Sequence, residues 1–402
     1  MGHWLIAAPH FRNGEIRLDH MLDISPWTQW LTWGFQVMPV FFIVGGYSNA
    51  ASWTAAMRSN QPYGAWFSSR LQRLLGPVLV LVAAWTLLGL AARLGGLSPA
   101  TIKIGSQAAL VPIWFLAVYI VVAVLVPATH AAWRRFGFGS FWVLAGAAVL
   151  VDAAVFGAGL RALGWANYMF VWLAVHQLGY AWRDDRLGGP KKSLPWAFAG
   201  LAALLYLMAV ANYPRSMVGV PGEEVSNTLP PTLAMLALAA LQGGLLLSIE
   251  GPARRWLQRT APWTATILIN GMIMTVYMWH LTVLVLTVGA ATLLGGIGLG
   301  LEPGSASWWA TRPIWMACLA LGLVPFLGIF GRFERGTGVR SAARATWRLV
   351  VGSLMVCGGM ALLALSGIGS DGPLGIRVWV VGMAFAGAAL AGIGPARRQE
   401  SG

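Results

Sequence analysis

Between residues 27 and 394 the chain repeats one pattern, a long apolar run followed by a short polar break that carries Lys or Arg. A helix needs about 20 apolar residues to cross the hydrocarbon core of a bilayer. Runs of this kind fall at 27–49, 77–94, 108–127, 141–160, 166–182, 194–213, 229–249, 264–294, 308–331, 347–367 and 376–394. Only 10% of the residues are charged and 57% are hydrophobic, whereas a soluble domain carries roughly a quarter charged residues. This excludes a cytosolic or secreted globular enzyme, and the hydrophobicity excludes a disordered chain. The 22 Trp residues suit a protein with two membrane interfaces. The expected fold is an all-α polytopic membrane protein with eleven complete transmembrane helices plus the remnant of a first one.

The net charge of +14 invites a nucleic-acid reading, but its distribution argues for topology instead. With the loop after the 27–49 span on the inside and the sides alternating, the inner segments hold 19 of the 27 basic residues and 5 of the 13 acidic ones. That is the positive-inside pattern, with the C-terminus in the cytoplasm and the plasma membrane as the expected location. No nucleic-acid partner is needed. Cys318 and Cys357 lie inside apolar runs and read as small core residues; no metal framework is present in the sequence.

Ahead of the first full span stands a short apolar piece, Met1 to Ala8, closed by Pro9. Eight residues cover about 12 Å as a helix, less than half of the hydrocarbon core. No basic region precedes it, which excludes a signal peptide, and Ile6 excludes N-myristoylation of Gly2. The expectation is a first helix lacking its inner half, about 10–20 residues, with the 9–26 loop outside. Segment 62–76 gathers Trp66, Phe67, Leu71, Leu74 and Leu75 on one face, the pattern of a helix lying in the inner interface. The chain divides into a core over 1–331, a basic cytoplasmic connector over 332–346, and two additional helices with a short cytoplasmic tail over 347–402.

Polar groups within the spans are His3, Asp152, His176, Asn270, Tyr277 and His280. Such groups are costly in lipid and often functional. His176 and Asn270 read as interhelical hydrogen-bonding residues. Asp152, mid-span in VLVDAAVFG, needs a partner or a water-filled cavity. Tyr277 and His280 stand one turn apart on one face, placed either to line a tunnel or to hold the packing. The stripe of Trp114, Phe115 and Tyr119 reads as core. The G-x-G-x-x-G match at 367–372 lies in a turn between spans and not between a strand and a helix, so it carries no dinucleotide reading.

QVMPVFFIVGGYSNAASW (36–53) followed by FSSRLQRLLGP (67–77), then PIWFLAVYIVVAVLVP (112–127) and VYMWHLTVL (276–284), resemble in order the motifs of the acyltransferase type three family. These are integral-membrane enzymes that move acyl groups, usually acetyl, from acyl-CoA to hydroxyls of glycans and other acceptors. Met1-Gly2-His3-Trp4 resembles the end of the family's first-helix motif; the Arg upstream of its His has no counterpart here. Gly45 stands where Ser is usual and Thr282 where Pro is usual. The family core is smaller, so the two spans beyond 331 read as an addition.

The resemblance implies that His3 is the general base, the natural choice for drawing a proton from a poorly nucleophilic hydroxyl near neutral pH. Counting six residues to Pro9, His3 lies about 9 Å below the outer end of its helix. The resemblance also implies acyl-CoA as donor substrate, with no tightly bound cofactor. Arg70 and Arg73, three apart on the inner side, are the cations for its phosphates, and otherwise anchors to headgroups; Arg134 and Arg135 have a weaker claim. Tyr277, His280 and Asp152 are the substrate or pocket candidates. The acceptor is a glycan or other hydroxyl compound, and the outer loop holding His10, Asp19, His20 and Asp23 is the segment nearest His3. The competing reading is a secondary transporter or flippase that uses Asp152; the absence of paired, Gly/Pro-broken halves argues against it.

Overall fold

The computed structural model describes residues 2–334, 345–372 and 374–393. The chain opens with a five-residue helix, α1 (Gly2–Ile6), which runs straight into a hairpin of β1 (Ala7–Arg12) and β2 (Glu15–His20). The hairpin is antiparallel, with Ala7 opposite His20 and Arg12 opposite Glu15. Asn13 and Gly14 both have positive φ, the geometry of an Asn-Gly hairpin turn. The segment expected as an outer loop is therefore ordered by backbone pairing, and His10 and Asp19 form an ion pair across it at 3.2 Å. Burial holds the His20 imidazole below its ordinary range, against the opposing pull of Asp23.

Two short helices, α2 (Met21–Ile24) and α3 (Thr32–Phe35), lead into α4 (Met38–Arg58) and α5 (Tyr63–Leu94). Then come α6 (Pro99–Leu110), α7 (Ile113–Val124), α8 (Val126–Phe136), α9 (Phe138–Ala158), α10 (Asn167–Arg183) and α11 (Pro190–Ala209). The second half holds α12 (Leu233–Ser248), α13 (Glu250–Leu257), α14 (Thr260–Asn270), α15 (Ile273–Leu293), α16 (Ala306–Phe330), α17 (Thr346–Ser366) and α18 (Val378–Ala391).

Six of these helices, α5, α9, α11, α15, α16 and α17, are long and apolar enough to cross a membrane. The number is eight if the bent pairs α6–α7 and α12–α13 each make one span. The expected eleven is not reached by this count among the described residues. The other three runs became α4, α10 and α18, and the reason differs for each. α4 carries Ser48, Asn49 and Ser52 within its apolar stretch, and α18 has only 14 residues. α10 has 17 residues, and Val171 to Ala181 are all buried among other helices. A helix wrapped by protein does not need to be apolar all round, so His176 and Gln177 are tolerated in it.

The amphipathic segment 62–76 is also corrected. It is not a separate helix but the first half of α5, a single helix of 32 residues. At 1.5 Å per residue such a helix is about 48 Å long, well beyond the hydrocarbon core of about 30 Å. Most of the connector 332–346 and the tail beyond 393, with Arg340, Arg344, Arg397 and Arg398, lie outside the described residues. Its first residues are held: Glu334 accepts from the Met274 and Thr275 amides at 3.0 Å each and from the Thr275 hydroxyl at 2.8 Å. A carboxylate there satisfies free donors at the start of α15.

α4 and α10 form the tightest contact of the core. A Cβ on Gly46 would land on the His176 carbonyl oxygen, and one on Gly179 would meet the backbone of Ile43 and Tyr47. Small residues let two helix backbones approach where lipid supplies no hydrophobic driving force. α15 and α16 pack as an antiparallel pair, with Val283 against Gly322 and Trp279 stacked on Phe330 at 3.9 Å.

Candidate active site

α1 packs against α15 and α16, and this docking creates the site. The Trp4 indole donates to the His280 carbonyl at 2.9 Å, which locks α1 to α15 one residue after His3. His3 Nδ1 then lies 3.4 Å from His280 Nε2. The protonation pattern follows from the partners. His280 Nδ1 is 2.8 Å from the Tyr277 carbonyl, an oxygen that can only accept, so Nδ1 carries the proton and Nε2 the lone pair of a neutral ring. His280 Nε2 therefore accepts from His3 Nδ1–H, and His3 Nε2 is left with its lone pair available as a base.

His280 stands thirteen residues before Leu293, the hairpin end of α15, which is about 20 Å along the helix axis.

From His280 a line of rings runs along the interior. Tyr277 is 6.2 Å from His280 between ring centroids, Phe115 is 5.9 Å from Tyr277, and Tyr119 is 5.9 Å from Phe115. The Tyr277 hydroxyl donates to the Pro112 carbonyl at 2.9 Å, at the break between α6 and α7. At the far end of the line, the Asn49 amide donates to the Tyr119 hydroxyl at 3.3 Å and to His176 Nε2 at 3.0 Å. Asn49 Oδ1 and His176 Nδ1 are buried there without a hydrogen-bond partner. A Cβ on Gly45 would come within 2.5 Å of the Tyr119 ring, so Tyr119 fills the space a Ser side chain would take. Thr282, the other departure, accepts from the Trp85 indole at 2.9 Å within an unbroken α15.

Arg70 belongs to this second cluster. Its guanidinium donates to the Ser48 carbonyl at 3.3 Å and to the Ser52 hydroxyl, and lies over the Trp66 ring at 5.0 Å. Arg73, three residues on, is exposed. The two arginines are thus neighbours on one helix with different surroundings, Arg70 hydrogen-bonded to α4 and Arg73 exposed.

Asp152 is held elsewhere. Oδ1 accepts from the Asn167 amide at 2.7 Å, and Oδ2 from the Tyr213 hydroxyl and the Leu233 amide at 2.8 Å each. Burial and then the adjoining carboxylate push the Tyr213 phenol above its ordinary range, which keeps it a donor. The carboxylate joins α9, α10, the connector after α11 and the start of α12, and shares no contact with His3, His280 or Arg70. His176, read from the sequence as an interhelical hydrogen-bonding residue, makes such a bond with Asn49 of α4. Asn270 ends α14, a helix with no buried residue.

Asn49 and Tyr119 were missed by sequence reasoning. Asn49 lies inside the GGYSNAASW motif, which was the available signal; Tyr119 was assigned to core, and only its hydroxyl contact distinguishes it. A cavity of about 790 Å³ also opens between α4, α10 and α12–α14, walled by Val40, Ile43, Val44, Trp182 and Leu247, with Glu250 and Arg254 at one end. It contains none of the residues singled out from the sequence. Among the described residues no group of three or more His, Cys, Asp or Glu side chains is gathered as a metal site.

No curated protein and no solved structure matches the chain. The family model described as an acyltransferase domain matches residues 1–325, a stretch that holds His3, the ring line and the Arg70 cluster and ends within α16. The chain is a member of the acyltransferase type three family, a membrane acyltransferase in its general kind.

Proposed function

We propose that this protein transfers an acyl group, acetyl in the simplest case, from cytoplasmic acyl-CoA to a hydroxyl of a carbohydrate or other acceptor at the outer face of the plasma membrane. The observation that carries the reading is the hydrogen-bond order Tyr277 carbonyl, His280, His3, which leaves His3 Nε2 as an unprotonated base. In the reaction His3 Nε2 takes the hydroxyl proton as the acceptor oxygen bonds to the thioester carbonyl carbon. The C–S bond then breaks, and the imidazolium returns the proton to the departing CoA sulfur. His280 accepts from His3 Nδ1–H throughout and fixes the ring. The contact of 3.4 Å is long, as catalytic contacts are before substrate closes them.

In this reading donor and acceptor arrive from opposite sides. Arg70, with the unpartnered Asn49 Oδ1 and His176 Nδ1 beside it, supplies the polar surface on the donor side, and Arg73 the free cation nearby. The transporter reading loses its main support, since the Asp152 carboxylate is engaged by three donors.

The test uses purified full-length protein with acetyl-CoA, following CoA release in the presence of an acceptor-containing membrane extract. His3→Ala is expected to retain acetyl-CoA binding and to lower turnover by roughly 100- to 10,000-fold. Turnover unaffected by His3→Ala removes the base; absence of acetyl-CoA binding in the folded wild type removes the donor.

A further inference from the structure

Arg312 lies in a helix apolar and long enough to span a membrane, yet only 8% of its surface is exposed. It belongs to the buried stripe Trp308, Arg312, Leu319 and Leu323 of α16, which faces the bundle and not the surroundings. The guanidinium is stacked 3.9 Å from the Trp308 ring centroid and 5.3 Å from that of Trp315. Its Nε donates to the Trp308 carbonyl at 3.4 Å. Nη1 is buried without an acceptor, and so are the indole Nε1 atoms of Trp308 and Trp315. None of the five ion pairs among the described residues involves Arg312.

Three buried donors, one of them charged, with no protein acceptor form an arrangement that proteins avoid unless ordered water or a ligand completes it. Aromatic stacking stabilises a cation, but it leaves the N–H groups unsatisfied. The chemistry they lack is an anionic oxygen group, which a guanidinium and two indole N–H donors suit in charge and polarity.

The place is specific as well. The register of α15 against α16, Val283 opposite Gly322, sets Arg312 level with the Leu293 end of α15. This is about 20 Å along the bundle from His280. Trp308 packs there with Ala8 and Met21, on the hairpin that continues from His3. We infer that Arg312, Trp308 and Trp315 form a binding site for an anionic oxygen group, phosphate or carboxylate, at the hairpin-end approach to His3. On the function proposed above, which this role rests on, the group belongs to the acceptor, and the site holds it while the hydroxyl reaches the base.

The experiment measures thermal unfolding of the purified full-length protein in neutral detergent, titrated with inorganic phosphate and, separately, with phosphatidylglycerol against phosphatidylcholine in mixed micelles. Wild type, Arg312→Gln and Trp308→Phe are compared, and acetyl-CoA binding is read on the same samples. Saturable stabilisation of the wild type is expected, weakened roughly tenfold or more in Arg312→Gln and about threefold in Trp308→Phe. A response to phosphate assigns the site to the anionic group of a polar ligand; a response to phosphatidylglycerol alone assigns it to a lipid headgroup. No saturable response to either, or the same response in both variants as in wild type, overturns the site. Loss of acetyl-CoA binding by the folded wild type bears on the acyltransferase reading alone, since anion binding is scored without turnover. Trp308→Phe keeps an aromatic face for the guanidinium while removing the indole N–H along with part of the ring, so the test stands if Arg312→Gln fails to fold.

Discussion

At the scale of single residues, the chemistry of His3 depends on which nitrogen of its neighbour carries a proton. A lone histidine three residues into a sequence is ambiguous; one whose Nδ1–H is held by a second, backbone-locked histidine has a defined free face. On the function proposed above His280 is a positioning residue, and that role can be separated from packing. His280→Ala is expected to lower kcat by roughly 10- to 100-fold with little change in KM for acetyl-CoA. His280→Gln retains a carbonyl oxygen able to accept from His3 Nδ1–H and is expected to recover most of that loss. Equal defects in the two variants, measured by CoA release, would assign His280 to packing instead. His3 and His280 were both legible in the sequence, but not their contact: they are 277 positions apart, and nothing local joins them. Arg70 and Arg73, three apart on one helix, differ in a way the spacing does not show: Arg70 turns towards Ser48 and Ser52 of α4 while Arg73 is exposed.

At the scale of elements, the sequence marked where helices lie better than what each one faces. Hydropathy reports exposure to lipid, so α10, enclosed by its neighbours, looks weaker as a span than its central position warrants. The hairpin β1–β2 was read as a loop because its strands are short and only partly buried, although Asn13-Gly14 was a turn signal in plain view. Asp152 belongs to this scale too: its three donors come from three separate segments of the chain. Asp152→Ala would leave the Asn167 amide, the Tyr213 hydroxyl and the Leu233 amide without their acceptor. The expected result in detergent is a destabilisation of roughly 3 kcal/mol or more, with faster proteolysis of the connector between α11 and α12. A variant as stable as wild type would show that Asp152 is not a staple and would return it to the functional candidates.

At the scale of the whole molecule, the reading that the hairpin faces outward and the Arg-rich turns inward rests on the placement of Lys and Arg. In a background with Cys318 and Cys357 replaced by Ser, Asn13→Cys is expected to react with a membrane-impermeant maleimide in intact cells. Lys191→Cys is expected to react only after permeabilisation. The reverse pattern would invert the molecule and exchange donor and acceptor sides.

The sequence by itself determined the class of the protein, its helical membrane character and its family, because each rests on local quantities: residue hydropathy, loop charge and short ordered motifs. The tertiary structure alone decided the number of helices that qualify as spans, the pairing of His3 with His280, and the separation of Asp152 from the histidines. The physical reason is the same in each case. Burial, tautomer and hydrogen-bond partner are properties of what packs against a residue, and in this bundle the partners come from helices far apart along the chain.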